Sequence, residues 1–440
     1  MVKQRIAVVG AGIAGLAAAY ELKCGGCDPV VFESADYVGG RVKSLRRGDY
    51  VFDVGAFIYL GSYVESVALM DKLGLHAQLG RFDAFGAMPR DKQLKFLDFS
   101  HPLGTIYKTD YLSTGSKLKL LKLMLLLFRH WKHLNYHDAA GIAAIDTDTV
   151  KSYCDRELNG ELYDYVASVV VRGPWLTDPA DTSICQLLWT MKNFFKPYFY
   201  GLSDGMDALP RALAERLDVR LGSPVTAVVD RGTHVCVTRR ENSAEIEERF
   251  DRCVIATPTP AALGMYPQMH PVQQAFYRNT SYISAVNTHL VLRHRPANPA
   301  TYIMVSPREN SALCGVIVDH KKAAGRVPDG MGMLTIFCSD AWSKANLDAD
   351  DDVILRKAIE FLRPYYGDLT DEVVDHEIGR WPVVVPKMKQ GRFREIVANQ
   401  QSIDAGARVQ LAGDLEPIGG VNAALVSGTK AAQRILGALR

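Results

Sequence analysis

Two segments more than three hundred residues apart carry the residue types best suited to chemistry. Near the start stands Ile6-Ala7-Val8-Val9-Gly10-Ala11-Gly12-Ile13-Ala14-Gly15-Leu16, followed by Val30-Val31-Phe32-Glu33-Ser34. Near the end stands Gln410-Leu411-Ala412-Gly413-Asp414, followed by Gly419-Gly420-Val421-Asn422-Ala423-Ala424. The first is a phosphate-gripping turn. Gly10 allows the tight bend, Gly12 lets the backbone approach a pyrophosphate with no Cβ in the way, and Gly15 permits close helix–strand packing. Free N–H groups at Ile13 and Ala14, with the helix dipole behind them, then meet the phosphates. Glu33, with Ser34 beside it, lies where a carboxylate accepts hydrogen bonds from ribose hydroxyls. The second segment is suited to the rest of the same dinucleotide, which points to FAD rather than NAD.

These groups need particular elements to hold them. The apolar run Ile6 to Val9 reads as a buried parallel strand, and Ala14 to Leu22 as a helix with no Gly or Pro after its first turn. Val30 to Phe32 reads as the next strand, ending at Glu33. Residues 112–200 are largely helical in pattern, residues 281–293 and 302–338 have strand character, and 350–362 reads as a further helix.

Between the two ends the chain resembles flavin-dependent amine oxidases, protoporphyrinogen oxidases and carotenoid-type desaturases. The residues carrying the resemblance are Val38-Gly39-Gly40-Arg41-Val42, then Asp53-Val54-Gly55-Ala56-Phe57. Gly205-Met206-Asp207-Ala208-Leu209-Pro210, Val219 to Val228 and Cys253-Val254-Ile255-Ala256-Thr257-Pro258 continue it. The resemblance implies that Gly40, Arg41 and Val42 touch the pyrophosphate, and that Gly55, Ala56 and Phe57 run beside the flavin. It implies that Val225 pairs with the adenine, that Ala256 and Thr257 close over the cofactor, and that Trp381 belongs to the flavin surroundings. Asp414, after Gly413, is implied to bind ribityl or pyrophosphate oxygens. Gly420, Val421 and Ala424 would face the pyrimidine edge of the flavin, where a helix N-terminus stabilises negative charge. The implied fold is α/β: a discontinuous Rossmann-like FAD domain from residues 1–90, 203–262 and 395–440, with a mixed α+β substrate domain from 91–202 and 263–394.

The departures from that family bear on the reaction. Where amine oxidases carry a lysine, the strand near 283–292 offers Asn287, Thr288 and His289. An aromatic cage member should fall near Gly420, and glycine cannot supply it. A cysteine for covalent flavin attachment is absent from Lys389-Gln390-Gly391-Arg392. The expectation is therefore non-covalent FAD in an oxidase or desaturase that removes a hydride from a C–N or C–C bond of a hydrophobic, specialised-metabolite-like substrate. Glu65 is the candidate base, set against satisfying a helix N-terminus, and Tyr59 the candidate substrate-facing ring, set against core packing. A nicotinamide-dependent dehydrogenase and a non-catalytic FAD-fold binding protein are the alternatives.

Composition narrows the partners. Lys+Arg 51 against Asp+Glu 49 gives +2, which argues against nucleic acid. Eight cysteines read as reduced thiols of a cytoplasmic protein, and no secretory leader is expected, since the apolar run from Ile6 reads as part of the fold. Cys24 and Cys27 have metal-pair spacing but no second pair, and His130, His133 and His137 have no carboxylate companion before Asp138; no metal is expected. The run His320-Lys321-Lys322-Ala323-Ala324-Gly325-Arg326 reads as a solvated charge run. The stretch Lys117 to Trp131, apolar but studded with cations, is too short and too charged to span a bilayer. It is read as an ordinary helix with its cations in water rather than as a membrane-surface element.

Overall fold

The computed structural model describes residues 3–83, 85–99, 101, 104, 107–195, 198–242, 244–414 and 416–440. Its centre is a five-stranded parallel sheet in the spatial order Asp218–Arg220, Asp28–Phe32, Arg5–Val9, Arg252–Ile255, Val409–Leu411. Strands from the start, middle and end of the chain thus lie side by side. The run Ile6–Val9 is wholly buried, as an uninterrupted apolar strand must be when helices cover both sheet faces.

The two chain ends meet through glycine. The helix Ile13–Cys24 rises from Gly10, and a Cβ on Gly15 would overlap the Gly10 carbonyl oxygen. The last helix, Val421–Ala438, crosses the first where Gly428 faces Ala14; a Cβ there would strike the Ala14 carbonyl. This backbone-to-backbone approach sets the cofactor turn and the C-terminal motif on one rim of the sheet.

A seven-stranded sheet forms the second layer, ordered Val373–Trp381, Ala285–Leu292, Gly332–Cys338, Leu313–Val318, Tyr302–Met304, Phe85–Arg90, Gln93–Asp98. All neighbours are antiparallel except Tyr302–Met304 with Phe85–Arg90. The placement of Phe85–Arg90 differs from a boundary at residue 90. Asp91 and Lys92 both take positive φ (53° and 62°), the signature of a two-residue hairpin turn. Both of their N–H groups donate to the Glu309 carboxylate, at 2.9 and 3.1 Å. The turn ties 85–90 to 93–98, and the pairing of Gly86 and Ala87 with Tyr302 and Ile303 places both strands in this sheet.

The expectation of a solvated run at 320–326 is overturned. Lys322 and Arg326 are fully buried, and both pair with the buried Asp53, at 2.9 and 2.6 Å. Asp53 also accepts from Ser44 Oγ (2.7 Å) and Met206 N (3.0 Å), and Lys322 pairs with Asp319. His289 Nδ1 contacts Thr335 Oγ1 at 2.7 Å, and Thr335 donates to Asp319. The run looks solvent-facing because its compensating carboxylate, Asp53, lies far upstream in sequence.

This buried network makes stability acid-sensitive. Burial holds the His289 imidazole down to about 4 from 6.5. Burial alone would raise the Asp53 carboxyl, but Arg326 and Lys322 outweigh it and hold it at about 2 instead of 3.8. As pH falls from about 6.5 to 4, the unfolded chain takes up a proton at His289 that the folded chain refuses. Stability therefore declines across that window, and Asp53 adds a further loss between roughly 3.8 and 2. Urea midpoints are expected to be level above about pH 6.5 and to fall steadily below it. A midpoint unchanged down to about pH 4.5 would contradict the burial of a neutral His289.

Ser168–Trp175 packs on Leu313–Val318 and Tyr302–Met304, and Asp351–Tyr366 on Ala285–Leu292, Val373–Trp381 and Gln93–Asp98. Within Thr114–His130, Leu120, Leu123, Met124 and Leu127 enter the core, but Leu118, Leu121, Leu125 and Phe128 stay exposed. That second apolar row is more than an ordinary core helix requires.

Candidate functional site

The site begins at the first turn. Gly10 has φ 102°, and its N–H donates to Phe32 O (2.7 Å), which holds the turn against the second strand. Gly12 caps the helix Ile13–Cys24 with no side-chain hydrogen bond, leaving the first-turn N–H groups to a ligand. A Cβ on Gly12 would meet nothing within 4 Å. The Glu33 carboxylate accepts from Ala11 N (2.7 Å) and Ala35 N (2.9 Å), and Ser34 Oγ lies 3.1 Å from it. Strand, turn and carboxylate thus form one rigid corner.

The glycine pair after the second strand returns to that corner. Gly39 N donates to Ala11 O (2.8 Å), and Gly39 and Gly40 both take positive φ. Arg41 crosses to the C-terminal motif. Its guanidinium pairs with Asp414 at 2.8 Å and donates to Val384 O at 2.5 Å. The two ends of the sequence motif are therefore joined by a charge-assisted hydrogen bond, worth more than a neutral one. Gly55 lines the cavity and has a packing role as well. A Cβ there would strike the Arg41 carbonyl and the Lys43 N–H, so its smallness first serves the Arg41–Lys43 segment.

The far end is built on the last helix. Gly420 caps it with φ 108°, again with no side-chain hydrogen bond, and Gly413 N donates to Ser427 Oγ (3.1 Å). Where a Cβ on Gly420 would sit, Tyr63 Oη is 3.0 Å away and the Trp175 ring 3.8 Å. The aromatic surface that Gly420 cannot offer comes from two other elements. Trp175 is fixed by its Nε1–H to Thr190 Oγ1 (2.8 Å), and Trp381 by its Nε1–H to Val54 O (2.6 Å).

All of this encloses one cavity of about 530 Å³, within the range typical of cofactor and ligand sites. Gly10, Gly12, Ile13, Ala14, Glu33, Ser34, Gly40, Arg41 and Val42 line it from one side. Gly55, Ala56, Phe57, Val225, Ala256, Thr257, Trp381, Gly413, Asp414, Gly420, Val421 and Ala424 complete its wall. Gly15 stays behind it, packed against Gly10. Two uncapped helix N-termini and the Arg41 guanidinium open on the same space, the donor set a pyrophosphate requires. Thr257 Oγ1 and Asn287 Oδ1 are buried without a hydrogen-bond partner on this wall, polar atoms that a bound molecule can satisfy.

Neither the candidate base nor the candidate substrate-facing ring reaches the cavity. On the short strand Tyr59–Leu60, Ile58 and Leu60 face it while Tyr59 points away, as strand alternation demands, and donates to Met206 O (3.3 Å). Glu65, on the helix Val64–Lys72, contacts His137 Nε2 (3.1 Å) and accepts from Asn422 Nδ2 (2.8 Å). It braces the last helix from outside. Glu65→Gln is therefore expected to change flavin reduction by less than about tenfold, a far smaller effect than losing a general base; a loss of a thousandfold would return Glu65 to the chemistry.

A smaller apolar recess of about 70 Å³ continues from the cavity, sharing Phe57, Ile58, Leu60, Pro174, Trp175 and Phe337 with it. Among the described residues its lining holds no Asp, Glu, Lys, Arg or His. The charged residues of the larger cavity, Glu33, Arg41 and Asp414, all belong to the cofactor corner. Tyr63, Trp175 and Phe337 carry no sequence pattern that announces them.

The chain belongs to the flavin-containing amine oxidoreductase family, whose model matches residues 13–436; its cofactor is FAD. It is 30% identical over 234 residues to a mitochondrial protoporphyrinogen oxidase of Nicotiana tabacum, covering 51% of this chain and 42% of that protein. It is 32% identical over 105 residues to a zeta-carotene desaturase of Arabidopsis thaliana, covering 23% of this chain and 19% of that one. The chain thus spans less than half the length of these curated relatives. Its fold is that of a putrescine oxidase solved with putrescine bound (TM-score 0.79, 19% identity, 99% of both chains). It is equally that of cyclohexylamine oxidase from Brevibacterium oxydans (TM-score 0.79, 15% identity, 100% of both chains).

Proposed function

We propose that the protein is an oxidase or desaturase that binds FAD non-covalently and removes a hydride from a C–N or C–C bond of an uncharged, hydrophobic substrate. The observation carrying this reading is the polarity of the lining, charged at the cofactor corner and free of charge in the recess. When bound, FAD supplies the electron-accepting chemistry; the chain supplies orientation, dryness and charge placement. Trp175 and Tyr63 beside Gly420, with Phe57 and Phe337 in ring contact at 4.1 Å, form flat walls that hold an apolar molecule in one orientation. The side chain of Asn287 stands on the strand where a lysine would serve an amine oxidase. It can present a neutral dipole but no charge.

Burying an unpaired ammonium or carboxylate among those rings would cost several kcal/mol. That disfavours a diamine such as putrescine and equally disfavours a polyanion. At about 70 Å³ the recess takes the leading part of a substrate, with the rest in the larger cavity. A cytoplasmic setting belongs to the same reading, supported by eight cysteines that are all free thiols.

The test is anaerobic bleaching of the flavin by matched panels of lipophilic amines, polyenes, diamines and dicarboxylates. The polyenes and the lipophilic monoamines, the latter entering as the neutral free base, are expected to reduce the flavin at least about a hundredfold faster than putrescine, whose second amine stays charged, the equivalent of roughly 2.7 kcal/mol. Faster reduction by the diamine would overturn the reading.

A further inference from the structure

The helix Thr114–His130 is apolar on two opposite sides, and only one of them is covered. Leu120, Leu123, Met124 and Leu127 enter the core, while Leu118, Leu121, Leu125 and Phe128 stand 63%, 48%, 70% and 50% exposed. Their spacing of three, four and three residues aligns them in one row along the outer face. Other exposed large apolar side chains, such as Val64, Leu221 and Val374, sit singly on separate elements. A contiguous row of this kind marks an interaction surface.

The charges beside the row indicate what covers it. Lys122 and Arg129 fall along one edge of the row, and Lys132 follows beyond its end. From Tyr111 to His137 the chain contains no Asp or Glu. Among the described residues, the ion pair made by these exposed cations is a loose one, Lys122 to Glu157 at 3.8 Å. A second copy docked by a twofold axis would set these cations against one another. An anionic lipid surface matches both features, because Leu and Phe enter the headgroup–acyl boundary while Lys and Arg reach the phosphates. The C-terminal end of the row adds an aromatic group: Phe128 stacks on Trp131 at 5.6 Å, and Phe195 packs edge-on against both. Such rings suit the membrane interface.

We propose that the helix Thr114–His130 docks the protein, lying flat, on an anionic bilayer surface through Leu118, Leu121, Leu125 and Phe128. Lys122, Arg129 and Lys132 bind the lipid phosphates. The helix packs on Ile184–Asn193, which carries Trp189, Thr190 and Asn193 of the apolar recess. The docked face and the recess therefore share one helix pair. Docking does not depend on the reaction proposed above.

Co-sedimentation of the FAD-loaded full chain with vesicles tests this. One set is pure phosphatidylcholine, and the other contains about one-third phosphatidylglycerol. The protein is expected to pellet with the anionic vesicles, with an affinity falling on the order of fivefold for each cation removed in R129Q and K132Q. Leu118→Gln/Leu125→Gln is expected to lose binding at least about tenfold while keeping full flavin content, which shows that it folds. Absence of pelleting with either vesicle, or equal pelleting by the double variant, overturns the proposal. A dimer in sedimentation velocity that Leu118→Gln/Leu125→Gln dissolves also overturns it, by assigning the row to a second copy.

Discussion

Gly12→Val is expected to leave the chain folded and to strip it of FAD. Gly12 has φ −69° and ψ 172°, backbone that any L residue adopts, and a Cβ there meets no protein atom within 4 Å. Replacing a favoured N-cap glycine by valine, a poor cap, costs about 1 kcal/mol. The same side chain projects into the cavity at the uncapped helix N-terminus. Three carbons in the closest approach to the pyrophosphate should weaken FAD at least about a hundredfold, roughly 2.7 kcal/mol. Gly15→Val is the contrast. Its Cβ would overlap the Gly10 carbonyl and force the first helix off the sheet, so it should cost about 3 kcal/mol or more in folding itself. Urea unfolding of the FAD-free chains and FAD titration by flavin fluorescence separate the two effects. A Gly12→Val protein that keeps stoichiometric FAD would place the pyrophosphate elsewhere.

Asp53→Asn is expected to be the most destabilising single charge change in the chain. It leaves the fully buried Lys322 and Arg326 with Asp319 alone as counter-charge. Removing one member of a buried ion network costs about 3–5 kcal/mol, because the orphaned charge stays desolvated. Domains are stable by about 5–15 kcal/mol in total, so this approaches unfolding. The damage also reaches the cofactor, since Lys322 Nζ donates to Phe57 O (3.0 Å) and Asp53 opens the turn that carries Gly55, Ala56 and Phe57 to the cavity. Lys322→Met in the Asp53→Asn background should recover part of the loss. The double-mutant cycle is expected to show coupling of about 2 kcal/mol or more. An Asp53→Asn variant within about 1 kcal/mol of the parent would mean that water reaches this network.

The cofactor corner was legible in the sequence because its chemistry is local. A glycine turn between strand and helix, a carboxylate one strand later and a glycine-capped last helix each declare themselves within a dozen residues. The recess was not legible, because Phe57, Trp175, Phe199 and Phe337 come from four separate elements and meet only through tertiary packing. Of the two roles open to Tyr59, the structure shows core packing. A strand of two residues is too short for alternation to show which side faces the ligand, and Ile58 and Leu60 took it. Glu65 lies close in sequence to those residues, but the helix turns it toward His137 and Asn422. Lys322 and Arg326 looked solvated because Asp53 is remote in sequence. In the helix Thr114–His130 leucine repeats on both faces, so composition could not tell which row is buried.

The central claim, that one cavity holds FAD non-covalently between the two ends of the chain, is tested most directly by the visible absorption spectrum of the purified protein before and after acid precipitation. The account predicts a flavin spectrum of about one FAD per chain, released wholly into the supernatant. A colourless chain that FAD cannot reconstitute, or flavin that stays with the pellet, would contradict it.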